Sequence, residues 1–163
     1  MKEVYHGSIN IVKSPLCNVG RDDLDFGKGF YLTDIYEQAQ RWAVRQKEEK
    51  EGTPIVNIYE FDLETVKNNY KYLSFEEYNE EWLSFIVRNR NGEKQWENYD
   101  VIEGGIANDR VILTINMYMM GLMSADVALQ RLAQHKPNNQ ICILNQEIVD
   151  KYLTFKKFEK ISI

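Results

Sequence analysis

The stretch Asp25-Phe-Gly-Lys-Gly-Phe-Tyr-Leu-Thr-Asp34, continuing through Ile35-Tyr-Glu-Gln-Ala-Gln-Arg-Trp42, constrains the fold more than any other part of this chain. Gly27 and Gly29 sit two apart, which suits a tight backbone path that a Cβ would block. Phe30-Tyr-Leu32 then reads as a short apolar strand. Asp34, with Glu37 three residues on, has the form of a capping box and predicts a helix with Asp34 as its N-cap. Ile35, Ala39, Trp42, Ala43 and Gln46 follow at helical spacing, four of the five apolar. A glycine turn, a strand and a capped helix in so short a span place aromatic groups beside exposed backbone, as in a binding cleft. Taken alone, the segment also fits a structural turn with Tyr31 and Trp42 in the core.

The rest of the chain supplies the frame. Glu3–Ser8 reads as a strand ending in a turn, with β character continuing through Ile9–Val12. Residues 13 to 24 form an irregular loop. The charged run from Gln46 closes at Gly52, and Pro54–Asp62 is a central strand. Ser74 and Glu77 predict a second capping box, followed by an amphipathic helix through Phe75, Tyr78, Trp82, Phe85 and Ile86 that ends at Asn91-Gly92. Tyr99–Glu103 is a strand broken by Gly104-Gly105. Asp109–Met120 is helical, Ser124 opens another helix, Pro137–Asn139 turns, and Gln140–Leu144 and Tyr152–Ile161 complete the sheet. Met117, Met119, Met120 and Met123 read as adaptable core filling. These elements predict a single α+β domain spanning residues 1–163.

Composition narrows the function classes. The net charge of −5 does not suggest a generic nucleic-acid binder. Cys17 and Cys142 are far apart, and Cys142 lies in an apolar run, so neither a disulfide framework nor a zinc pattern is expected. With His6 and His135 as the two histidines, no His-rich metal site is expected either. The chain shows no secretory h-region and no membrane-spanning run, which predicts a cytoplasmic protein without membrane association. Lys156, Lys157 and Lys160 read as the solvated face of an edge strand.

Three separated segments resemble one family. Tyr5-His6-Gly7-Ser8, Phe26-Gly-Lys-Gly-Phe-Tyr31 and Asn139-Gln140-Ile-Cys-Ile-Leu are similar, in order, to the three core motifs of the ADP-ribosyltransferases of the His-Tyr-Glu type. That superfamily includes diphtheria-type toxins and the poly-ADP-ribose polymerases. The likeness extends over nearly the whole chain to a bacterial family of uncharacterised ADP-ribosyltransferase-like proteins. Those proteins share the Asp25–Tyr31 run and Tyr99-Asp-Val-Ile-x-Gly-Gly-Ile-Ala-Asn-Asp109.

The resemblance implies a split β core of two sheets flanked by helices, with NAD as substrate in the cleft. It assigns His6 to the adenosine ribose and the backbone of Gly7 to the nicotinamide carboxamide. Tyr31 and Trp42 enclose the nicotinamide ring, and Ser8, Gly29 and Phe30 belong to the binding segments. Arg21 or Lys28 would meet the pyrophosphate. The third catalytic position holds Gln140 where the family has glutamate; an amide can orient the ribose but carries no negative charge. Asp109 and Glu103, beside the glycine pair, are candidates for the missing carboxylate, and Asp109 also reads as a helix N-cap. The implied activity is NAD-dependent mono-ADP-ribosyl transfer to a macromolecular acceptor, as in a bacterial toxin or defence factor with a cognate antitoxin or neutralising protein. The alternative is an inactive module of the same fold that binds NAD or ADP-ribose.

Overall fold

The computed structural model describes residues 1–22, 24–106, 109–134 and 138–162, apart from the side chain of Asp109. His135 and Pro137, and Ala107-Asn108 of the shared segment, lie outside the described residues. In chain order the elements are β1 (Lys2–Ser8), β2 (Phe30–Leu32), α1 (Tyr36–Glu49), β3 (Ile55–Phe61), α2 (Leu63–Asn69), β4 (Tyr72–Ser74) and α3 (Glu80–Arg90). A 3₁₀ turn at Gln95–Asn98 leads to β5 (Val101–Gly104), then α4 (Asp109–Met119), α5 (Ala125–Leu132), β6 (Gln140–Ile143), α6 (Gln146–Tyr152) and β7 (Leu153–Lys160). The architecture is α+β, with strands in two sheets ordered β1-β3-β7 and β2-β6-β5-β4.

Alternation along the strands assigns each face. In the first sheet, Val56 and Ile58 pack with Ala39 of α1, while Val4, Tyr59 and Phe61 meet Phe30, Leu32, Ile141 and Ile143 of the second sheet. The outer face of the second sheet carries Cys142 and Ile102. It is covered by Trp82, Leu83 and Ile86 of α3, Val111 and Ile115 of α4, and Ala128 and Leu132 of α5. Burying this many apolar side chains is the dominant favourable term in the fold.

Several local expectations are corrected. Asp34 does not cap α1: its carboxylate pairs with Lys2 at 2.8 Å and accepts from Asn139 Nδ2 at 3.0 Å, and Ile35 holds the cap position without a side-chain bond. Ser74 ends a strand, and α3 begins at Glu80 under the cap of Asn79, which accepts from the Trp82 N–H at 2.9 Å. Residues Ile9–Val12 are not a strand. Instead Gln46 Oε1 accepts from the Ile9 N–H at 2.8 Å and Asn57 Oδ1 from the Val12 N–H at 2.8 Å, so side chains do the work of a ladder. Met119 and Met120 are exposed rather than core. α2, β4 and α6 are too short to announce themselves by period. The cap at Ser124, the left-handed Gly92 after Asn91 and the burial of Cys142 agree with the sequence reading.

Candidate functional site

The two sheets meet where β1 touches β2. Tyr5 and Thr33 exchange backbone hydrogen bonds at 2.8 and 2.9 Å. Backbone groups alternate direction along a strand, so the N–H and C=O of Gly7 point to the same edge as those of Tyr5. Beyond Tyr5 the strands part, leaving that edge of Gly7 facing the split. Gly7 is held there by helix α1: a Cβ would overlap the carbonyl oxygen of Ala39 and the nitrogen of Ala43. Glycine is required at this position for close packing.

His6 stands at the split on the opposite face from Gly7. Its Nδ1 donates to the Tyr31 carbonyl oxygen at 2.8 Å, and its ring lies 4.5 Å from that of Phe30, centre to centre. Burial lowers its pKa below the usual histidine value, outweighing the opposing pull of the carbonyl. The imidazole is therefore neutral near pH 7, with Nε2 as its acceptor.

The Tyr31 ring lies on the other face of its sheet, packed against the cluster that α3, α4 and α5 cover. Its hydroxyl donates to the Gly27 carbonyl at 2.7 Å and accepts from the Phe26 N–H at 3.2 Å, and burial pushes its pKa well up. The expectation of His6 and the Tyr31 ring clasping one open groove is thus corrected: the two meet through the Tyr31 backbone. Gln140 shares the Tyr31 face, since it alternates with Cys142, and is buried at 5% exposure with Nε2 unpartnered among the described residues.

Trp42 lies elsewhere, half-buried on α1. It lines a groove of about 680 Å³ with Gln38, Arg41 and Arg45 of the same helix, facing Ile106 and Asn138. Neither His6 nor Tyr31 lines it. Gln38, absent from the sequence-based candidates, is 2% exposed; its Nε2 donates to the Asn139 carbonyl at 2.7 Å and its Oε1 has no partner among the described residues. A glutamine among Glu37, Gln40 and Arg41 carries no apolar signal that would mark it as buried.

A second groove, of about 460 Å³, shares Asn138 with the first and is lined by Asp34, Lys67, Phe75, Glu77 and Glu103, among others. Glu103 pairs with Ile141 in the ladder, so it lies on the face opposite Gln140. Its carboxylate accepts from Tyr72 Oη at 2.7 Å and Asn139 Nδ2 at 2.8 Å. It does not replace the missing charge beside Gln140. Burial tends to raise the Asp34 carboxyl, but hydrogen bonds from Lys2 and Asn139 prevail and hold it below the usual range. Asp109 opens α4, and its side chain lies outside the described residues.

The remaining candidates have local work. Ser8 Oγ donates to Gln46 Oε1 at 3.1 Å. Phe30 is core. Gly29 is obligatory because a Cβ would overlap Cys142 Sγ and Ile143 O. Arg21 lines a separate cavity of about 320 Å³ with Leu24, Asp25 and Arg90, and Lys28 pairs with Asp22 at 3.3 Å. Neither basic side chain reaches the Trp42 groove. Among the described residues, no group of three or more His, Cys, Asp or Glu is placed to hold a metal ion, and no helix is long and apolar enough to cross a membrane.

Residues 2–155 match the family described as a protein of unknown function (DUF3990), and the chain belongs to that family. Neither the curated proteins nor the solved structures include a match to it.

Proposed function

We propose that this DUF3990 protein is an NAD-dependent mono-ADP-ribosyltransferase acting on a macromolecular acceptor. The observation that carries the reading is the position of Trp42. The aromatic that the motif resemblance assigns to nicotinamide lines a groove of ligand size together with Asn138, the residue before the third motif. The split between two sheets is the arrangement the resemblance implies.

In this reading Trp42 stacks on the cationic ring, a contact worth about 0.5 to 2 kcal/mol. His6, oriented by the Tyr31 carbonyl, offers Nε2 to a ribose hydroxyl. Tyr31 contributes through its backbone, while its ring anchors the glycine turn. The bond between nicotinamide nitrogen and ribose C1′ breaks, and nicotinamide leaves with the electron pair. The acceptor's nucleophile bonds to C1′ and releases its proton to solvent. Gln140, which the resemblance assigns to the ribose, is buried on the covered face of its sheet and supplies no charge. Lacking one preorganised electrostatic group costs about 3 kcal/mol of transition-state stabilisation, so turnover is slow. A toxin or defence factor held by a cognate antitoxin fits such an activity.

One observation favours a second reading, a non-catalytic module that binds NAD or ADP-ribose: the neutral, buried Gln140. Nicotinamide release from NAD⁺ and an ADP-ribose mass increment on acceptors, measured with wild type, Trp42→Ala and Gln140→Glu, separate the two. Wild-type turnover lost in Trp42→Ala supports the transferase. Calorimetric binding without turnover, with hydrolysis gained in Gln140→Glu, supports the module. No NAD⁺ binding in wild type overturns both.

A further inference from the structure

Helix α4 is apolar on two opposite faces, and the fold uses one of them. Val111 and Ile115 face inward and are fully buried. Leu113 and Met120 face outward at 60% and 72% exposure, with Met119 beside them and Leu122 just past the helix at 66%. A helix that is apolar all round is ordinarily covered all round. With Val127 of α5, the exposed apolar side chains amount to on the order of 500 Å², a patch of the size that marks an interaction site. Exposed Asn116 and half-buried Ile112, Met117 and Met123 extend it toward ~800 Å², the contribution of each partner to a standard interface.

Two features select a second copy of this chain as the cover. The first is charge. No acidic or basic side chain occurs from Val111 to Ala125, in a chain whose residues are 28% charged and whose net charge is −5. A surface shaped for a partner of different charge would carry the complementary sign. Two identical acidic copies repel each other, and an uncharged face is where they meet without setting like charges together. The second feature is Asn116. Leu113, Asn116, Met117 and Met120 follow the i, i+3, i+4, i+7 spacing of one helix face. Antiparallel pairing about a twofold axis at the middle of that set brings Leu113 of each copy to Met120 of the other, and the two Asn116 side chains together. An asparagine amide both donates and accepts, so it can pair with itself. A lone asparagine in an apolar helix seam fixes register and the number of helices.

We infer that the outer face of α4 is a homodimer interface, in which two copies pack their α4 helices antiparallel about a twofold axis beside Asn116.

Sedimentation of the full chain over a series from about 1 μM to 1 mM tests this. Wild type should move with concentration from the chain mass of 19.3 kDa toward twice that value. Leu113→Glu/Met120→Glu sets carboxylates against each other across the axis and should weaken the dimer by more than about a hundredfold. Both positions are exposed, so circular dichroism and urea unfolding of the variant should match wild type. In a separate experiment Asn116→Cys should cross-link two copies under mild oxidation, whereas Lys157→Cys, on β7, should not. The natural cysteines, Cys17 and Cys142, are buried and do not interfere. A wild type that stays at the chain mass throughout, a dimer that persists in the folded double-glutamate variant, or equal cross-linking at positions 116 and 157 overturns the inference. Wild type that remains monomeric and co-sediments with phosphatidylcholine vesicles would overturn it in favour of a lipid surface.

Discussion

The Nδ1 atom of His6 lies 2.8 Å from the carbonyl oxygen of Tyr31, and this bond joins the first motif to the second across the split between the sheets. A carbonyl can only accept, so the proton is on Nδ1. Burial favours the neutral ring. The NMR titration of His6 should therefore give a pKa below about 6.5. Because the folded state binds this proton less readily than the unfolded one, the stability contributed by His6 is complete above the unfolded value and is lost as pH falls through the folded one. A measured pKa at or above the unfolded value would show that the ring is not desolvated.

Gly7→Ala should destabilise the fold, because the new methyl meets the backbone of α1 at Ala39 and Ala43 and neither can move without separating strand from helix. Overpacking of this kind costs about 1 to 3 kcal/mol. Urea denaturation should show a lower midpoint with an unchanged slope. A stability equal to wild type would contradict the packing described.

Tyr31→Phe removes the hydroxyl that serves both the Gly27 carbonyl and the Phe26 N–H. With those groups left under the α3–α5 layer, a loss of about 1 to 3 kcal/mol is expected. On the proposed function, affinity for NAD⁺ should change little, since Tyr31 does not line the Trp42 groove. A variant of full stability with abolished NAD⁺ binding would instead place the phenol in the site.

Asp25 and Arg90 secure the entrance to the glycine turn: Arg90 Nη2 and Nε both lie 2.8 Å from Asp25 Oδ1. Burial raises the Asp25 pKa, with Arg90 opposing it. Removing Arg90 leaves a mostly buried carboxylate without its partner, so Arg90→Met should cost more than the double variant Asp25→Asn/Arg90→Met. A double-mutant cycle by chemical denaturation should give a coupling above about 0.5 kcal/mol. Strict additivity would show the pair to be incidental.

Local patterns carried much of the fold. The glycine turn, the Phe30–Leu32 strand, the helix behind it, the Ser124 cap and the burial of Cys142 all follow from interactions within a few residues. Such interactions are written into the order of the side chains. The capping boxes failed for a non-local reason. Asp34 had the right neighbours for a cap, but Lys2 and Asn139, remote in the chain, claim its carboxylate.

The candidate site divides along the same line. Sequence nominated the candidates: His6, Gly7, Tyr31, Trp42 and the uncharged Gln140. Strand period also required Tyr31 and Phe30 to point to opposite faces. Which face opens to solvent was decided by tertiary packing, because α3, α4 and α5 cover the side that carries Tyr31 and Gln140. The unsatisfied oxygen of Gln38 was decided there too, since its amide nitrogen is claimed by Asn139, a residue remote in sequence. Period and propensity act over one or two turns of chain, whereas the covering of a face depends on elements that meet only once the whole chain has folded.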